Sequence, residues 1–302
     1  MYTGGPPSAD GGVDPLRVTR GGRRFFDGMS DTVFDPRLRV FVGDLVRPYG
    51  LPLREDLLTT GAGHSYGEMA QRLILDTVSA DEPVDLLVLA YGIHDVRLAR
   101  STAAYLSDVC PGQPMAFAVC DQGNAAAFMA LRLIAEYGRA GGCERALLLV
   151  VEQSALHYEP AEPVRLPDRH AAVALLLERS ANGMPTVVRQ HADVPPRLAG
   201  ALLADDVAAL SGGRDDVTLI LGSGLAESEA AFLATDTVLA PPGQPFTGSW
   251  WELAGGLADW RADGRLVLLA EYDPALRYLS LSATDLTAAA LSVAAAANQV
   301  LS

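Results

Sequence analysis

Along the chain, unbroken apolar runs of strand length alternate with stretches whose apolar residues recur every three or four positions. Val84–Ala90 (VDLLVLA), Met115–Val119, Ala146–Val151 and Ala171–Leu177 read as buried strands. Tyr66–Ser79 and Arg100–Val109 carry helical spacing. Asn124–Tyr137 (NAAAFMALRLIAEY) has almost no polar residue in its first half, which predicts a helix deep in the core, and Gly141 and Gly142 supply its stop. From about Val194 the order starts afresh. Helices are expected at Leu198–Leu210, Ala226–Ala234 and Trp250–Arg261, strands at Val217–Leu221, Leu266–Glu271 and Arg277–Ser282, and an Ala-rich helix at Asp285–Leu301. Strands that are apolar throughout, set between helices, predict α/β architecture with sheets covered on both faces. The repetition predicts two similar halves, 31–195 and 196–302. Residues 1–30, rich in Gly, Pro and Arg, are expected to form a flexible N-terminal arm.

Composition narrows the function classes. A formal net charge of −14 opposes nucleic-acid binding, which needs concentrated positive charge. No apolar run reaches the roughly 18–20 residues that span a bilayer, and the opening residues lack the pattern of a secretory signal. Cys110, Cys120 and Cys143 give neither a disulfide framework nor metal-ligand spacing, so no metal and no cofactor is expected, and a reducing cytoplasm fits. The chain has no Lys, which excludes Schiff-base and Lys general-base chemistry.

Asp85–Ala90, Met115–Tyr137, Arg145–Glu152 and Pro167–Glu178 (PDRHAAVALLLE) follow one another as in the first half of a ketoacyl synthase, most closely the priming type. Further on, Leu221-Gly222-Ser223-Gly224-Leu225 resembles the H-G-T-G-T strand end of elongating ketosynthases. Thr247–Gly256 resembles their T-G-H-x-x-G-A-A-G segment. The resemblance covers roughly residues 65–282 and implies a thiolase-like five-layer αβαβα fold of two related halves. It also implies an acyl thioester on an acyl carrier protein or coenzyme A as ligand. The family pairs through the strand equivalent to Met115–Val119, so a homodimer, or a heterodimer with an active ketosynthase, is implied.

The family's chemistry needs a nucleophile at a helix start, plus two imidazole or amide donors from the second half. The five His are His64, His94, His157, His170 and His191, so both donor positions, which lie after residue 215, lack one. Leu221 or Gly222 and Ser249 stand there instead. Counting back through the helix puts the nucleophile position at about Asn124; counting forward from Phe117 puts it at Gln122 or Gly123. Neither count gives Cys. Asp121-Gln122-Gly123 resembles the Gln-bearing turn of chain-length factors, the inactive partners of ketosynthases. Cys120, at a strand end, is the alternative nucleophile, against its reading as a small buried hydrophobe. Gln122, Asn124, His94, Ser223 and Ser249 are carried over as substrate-contacting positions.

Milder readings stand beside several residues. His94-Asp95 reads as a solvated loop pair, His170 as an edge cap, His157-Tyr158 as local packing, and Ser249 as the N-cap before Trp250. Trp250, Trp251 and Trp260 read as core or interface. Arg17, Arg20, Arg23 and Arg24 form either a docking patch for an acidic carrier protein or a solvated arm. A lone Gly222-x-Gly224 is weak evidence for phosphate binding. Two main functions remain open. One is a ketosynthase-like subunit lacking the usual Cys-His-His/Asn set, which shapes an acyl pocket in polyketide- or fatty-acid-type metabolism. The other is an acyltransferase or thioesterase using Cys120 with His94 or His157. An unrelated α/β protein is the third possibility.

Overall fold

A computed structural model describes residues 14–30, 33–97, 100–180, 184–225, 233–234 and 236–287. In the first half the strands are β1 (Leu16–Phe26), β2 (Leu86–Tyr91), β3 (Met115–Val119), β4 (Arg145–Glu152) and β5 (His170–Arg179). The helices there are α1 (Pro36–Val46), α2 (Glu55–Thr60), α3 (Tyr66–Thr77), α4 (Thr102–Val109) and α5 (Ala125–Arg139). The second half has β6 (Val187–His191), α6 (Pro196–Ser211), β7 (Val217–Leu221), β8 (Asp236–Leu239), α7 (Gly248–Ala262), β9 (Leu266–Asp273) and β10 (Tyr278–Asp285).

The two sheets run β1-β5-β4-β2-β3 and β6-β10-β9-β7-β8. In the first, β2 pairs parallel with β3 and β4, and β5 antiparallel with β4 and β1. In the second, β7 pairs parallel with β8 and β9, and β10 antiparallel with β9 and β6. One wiring diagram is used twice.

Strand periodicity explains the layers. Leu86, Val88 and Ala90 point one way from β2 and join α5 and α7 in a central core that also takes Ile220, Val267 and Leu269 from the second sheet. Leu87 and Leu89 point the other way, onto Tyr66, Met69 and Leu73 of α3 and Leu106 of α4. Leu219, Leu266 and Leu268 face Leu203 and Val207 of α6. The order is helices, sheet, α5 with α7, sheet, helix. Because α5 is buried between two sheets, its first half has no need of polar residues. Burial of Phe128 alone, against Trp250, stabilises by about 2–3 kcal/mol.

Three expectations are corrected. The arm predicted over 1–30 contains β1, the edge strand of the first sheet. Gly21 and Gly22, which read as loop, let β1 lie between α7 and α3: a Cβ would come within 2.6 Å of Leu257 and of Thr77. The division predicted at 195 falls earlier, because β6 pairs with β10. Asp285 ends β10 rather than starting a helix. Residues 288–301 of that helix and nearly all of the one predicted over Ala226–Ala234 lie outside the described residues.

Candidate functional site

Strand β3 ends at Val119, and a turn of five residues leads to α5. Asp121 and Gly123 take left-handed backbone there, with φ of 60° and 51°, and Asn124 is the N-cap. Neither Cys120 nor Gln122 therefore reaches the helix start. Asn124 does, as its N-cap. Its backbone N–H donates to Asp273 Oδ2 at 3.2 Å, and its side-chain Nδ2 lies 3.5 Å from Glu271 Oε2. Both carboxyl groups come from the end of β9, in the other half. Two glycines make room for them. A Cβ on Gly123 would fall inside the Asp273 carboxylate, and one on Gly222 inside that of Glu271. Gly224 likewise admits the Tyr272 carbonyl, so the Gly222-x-Gly224 pair serves packing rather than phosphate.

Glu271 is 2% exposed. Burial pushes its carboxyl up to about 8, Glu152 and Asp273 add repulsion, and Ser249 and Arg165 act the other way. The Ser249 hydroxyl reaches toward Glu271 without the geometry of a full hydrogen bond. Ser249 is not the helix cap it was expected to be: Thr247 takes that position, and Ser249 lies inside the first turn of α7, fully buried. Ser223 begins a single 3-10 turn and is half-buried.

Glu152 ends β4 and joins the halves. It accepts from Gln244 Nε2 at 2.7 Å, Phe246 N at 3.0 Å, Thr247 N at 3.1 Å, and the Thr247 hydroxyl. Burial still raises its pKa, though these four donors oppose the shift. A cavity of about 300 Å³ opens beside this constellation, with Ile93, Asn124, Glu152, Arg165, Phe246 and Asp273 among its walls.

Cys120 lies off that cavity. Its Sγ donates to Asp121 Oδ2 at 3.2 Å and also interacts with the Tyr91 hydroxyl. Burial pushes the thiol up and the Asp121 contact holds its proton further, the reverse of what an attacking thiolate needs. His94 also misses the cavity. It stacks on Tyr158 with centroids 5.7 Å apart, and burial lowers its pKa. His157 packs locally as expected, its Nε2 2.7 Å from the Ala62 carbonyl. His170 starts an inner strand, not an edge, and its Nδ1 accepts from Ser154 N at 3.1 Å.

The arginines of β1 are engaged within the fold. Arg20 pairs with Glu82 at 2.7 Å, Arg24 with Asp76 at 3.4 Å, Arg17 bonds the Asp285 carbonyl, and Arg23 donates to Trp251 O at 2.8 Å. They do not form a free arm. Among the described residues no cluster of His, Cys, Asp and Glu is placed to hold a metal ion, and no helix is long and apolar enough to cross a membrane.

Sequence reasoning missed Glu152, Glu271 and Asp273. Acidic residues ending the apolar runs ALLLVVE and LVLLAEYD were the available signal.

No family model and no curated protein matches the sequence. Solved structures do match the fold. AbyA1, a tetronic acid condensing enzyme, is 18% identical over 89% of this chain and 99% of its own, with a TM-score of 0.61. The 3-oxoacyl-(acyl carrier protein) synthase III of Pseudomonas aeruginosa is 16% identical over 90% and 98%, with a TM-score of 0.57. The acyltransferase ChlB3 is 14% identical over 89% and 97%, with a TM-score of 0.60. With its doubled sheet order, the chain has the thiolase-like five-layer αβαβα fold, in two related halves, that these ketosynthase-like proteins share.

Proposed function

We propose that the chain is a non-catalytic ketosynthase-like subunit that pairs with an active ketosynthase and shapes its acyl pocket in polyketide- or fatty-acid-type metabolism. One observation carries the reading: the helix start that needs a thiolate presents Asn124, and the facing wall presents carboxyl groups instead of imidazoles. Neither Asp273, which caps the helix start, nor Glu271, which burial keeps protonated up to about pH 8, supplies the pair of imidazole or amide donors that stabilises the negative charge of a decarboxylated thioester, so the site does not assist condensation in the family's way. The raised pKa and off-cavity position of Cys120 weigh against the acyltransferase reading.

The partner would lie along β3. This strand ends the order of the first sheet, and its Met115, Ala116 and Phe117 are half-buried. The ligand on the partnered enzyme would be an acyl thioester of a carrier protein or coenzyme A, and the compartment would be the cytoplasm.

Co-expression with ketosynthases of the same metabolic class, followed by size-exclusion chromatography with light scattering, tests this. A one-to-one complex that changes the chain length of the ketosynthase product is expected. A chain that recruits no ketosynthase, and whose addition leaves the product unchanged, would overturn the reading.

A further inference from the structure

Exposed apolar side chains concentrate on one helix. Of the thirteen large apolar residues that stand exposed among the described residues, five (Phe34, Val40, Phe41, Leu45 and Tyr49) fall on α1 and the turns at its two ends. Single exposed apolar residues are ordinary on a protein surface, whereas a run of this density marks a contact face. Helix α1 sits outside the three cores that line the sheets. It buries Leu38, Val42 and Val46 in a small core of its own, with Val33, Leu58, Leu53 and Tyr158. That buried stripe, repeating every fourth residue, leaves Arg37, Val40, Phe41 and Asp44 on the outer surface.

This outer face is complementary to itself. When a second α1 is set antiparallel, with a two-fold axis midway between Val40 and Phe41, Val40 meets Phe41 of the second copy. Arg37 then meets its Asp44, and the symmetry makes both contacts twice. The charged groups have atoms to spare for this. Arg37 holds Asp35 through Nε and Nη2, leaving Nη1 open, and Asp44 meets Arg47 through Oδ1 alone, at 3.3 Å. Arg47 comes opposite Phe34 of the second copy, where guanidinium and ring attract. An anionic partner, whether a membrane or an acidic protein, would instead meet Asp44 within the face, on a chain of net charge −14.

We propose that α1 is a self-association surface, on which a second copy of this chain docks antiparallel through Val40 and Phe41, with Arg37–Asp44 pairs fixing the register. Two helices of three turns cover less than the roughly 1,200–2,000 Å² of a standard interface, so the association is weak, with a Kd of about 10 µM or above. Helix α1 shares no residue with β3. The contact would therefore join two subunits while each keeps β3 for a ketosynthase.

Sedimentation velocity of the full chain from about 5 to 200 µM tests this, the average mass rising with concentration toward twice its starting value. Val40→Glu sets like charges beside the axis and should hold the mass at that starting value. Arg37→Asp and Asp44→Arg each put like charges face to face and should weaken association at least about tenfold. Mixed in equal amounts, these two variants should associate with each other as tightly as the parent does with itself, because every pair across the axis is again of opposite sign. Both changes place the charge that the helix dipole favours at that end of α1, and Val40 is 64% exposed, so none threatens the fold; thermal melting confirms it. A parent of constant mass over that range, single variants that associate like the parent, or a mixture no tighter than either variant alone would overturn the proposal. None of these results bears on ketosynthase co-elution, so the two readings fail separately.

Discussion

Asp273 Oδ2 accepts from the backbone N–H of Asn124 at 3.2 Å, so the second half of the chain caps the central helix of the first. A carboxylate at a helix N-terminus is electrostatically favourable, worth up to about 1 kcal/mol near the surface and more when partly buried. The charge a helix start offers to an attacking thiolate is therefore used within the fold. This contact, with Glu271 behind it, makes the site a structural joint between the halves.

The fit of Glu271 against Gly222 gives the first prediction. Gly222→Ala places a methyl group where the carboxyl now sits and should destabilise by about 1–3 kcal/mol. In a Glu271→Ala background the same change should cost distinctly less, with a coupling of about 1 kcal/mol or more. Urea unfolding of the four proteins measures it; strictly additive effects would show that the two residues do not share the space.

Buried imidazoles should make the fold acid-sensitive. Burial lowers His170 from 6.5 to about 4, with His64 adding repulsion, and lowers His94 and His157 in the same direction. The folded state then binds fewer protons than the unfolded one, so this contribution is whole above pH 6.5 and is lost as pH falls toward 4. For His170 alone the loss is about 3 kcal/mol. His170→Asn should flatten the stability curve between pH 6.5 and 4. An unchanged slope would contradict the burial argument.

Glu271 works in the opposite sense. Its folded pKa is raised from 4.5 to about 8, so the folded state holds the extra proton and stability declines as pH rises between those values. Glu271→Gln removes the ionisation and should gain stability relative to the parent most strongly at pH 8 and least at pH 4.5. Denaturant midpoints at both pH values decide it; an equal difference at the two would contradict the assignment.

How much of this was legible in the sequence differed by element. Strands β2, β4, β5, β7 and β9 could be read because burial on both faces leaves them uniformly apolar. Strand β1 (LRVTRGGRRFF) could not: an edge strand keeps arginines that pair with Glu82 and Asp76, and its glycines mark close packing that only the folded neighbours reveal. The missing histidines were plain, while the two counts along the chain left Gln122, Gly123 and Asn124 all open. What replaced the histidines was hidden, because Glu271 and Asp273 meet Asn124 across 147 and 149 residues of chain.

The central claim is that no group here is built to accept an acyl chain. Intact-protein mass spectrometry after incubation with acyl-coenzyme A thioesters, alongside Cys120→Ala, tests it most directly. The expected spectrum is the unmodified mass for both proteins, because the thiol of Cys120 is held protonated beside Asp121. A stoichiometric acyl adduct on the parent that disappears in Cys120→Ala would contradict the account.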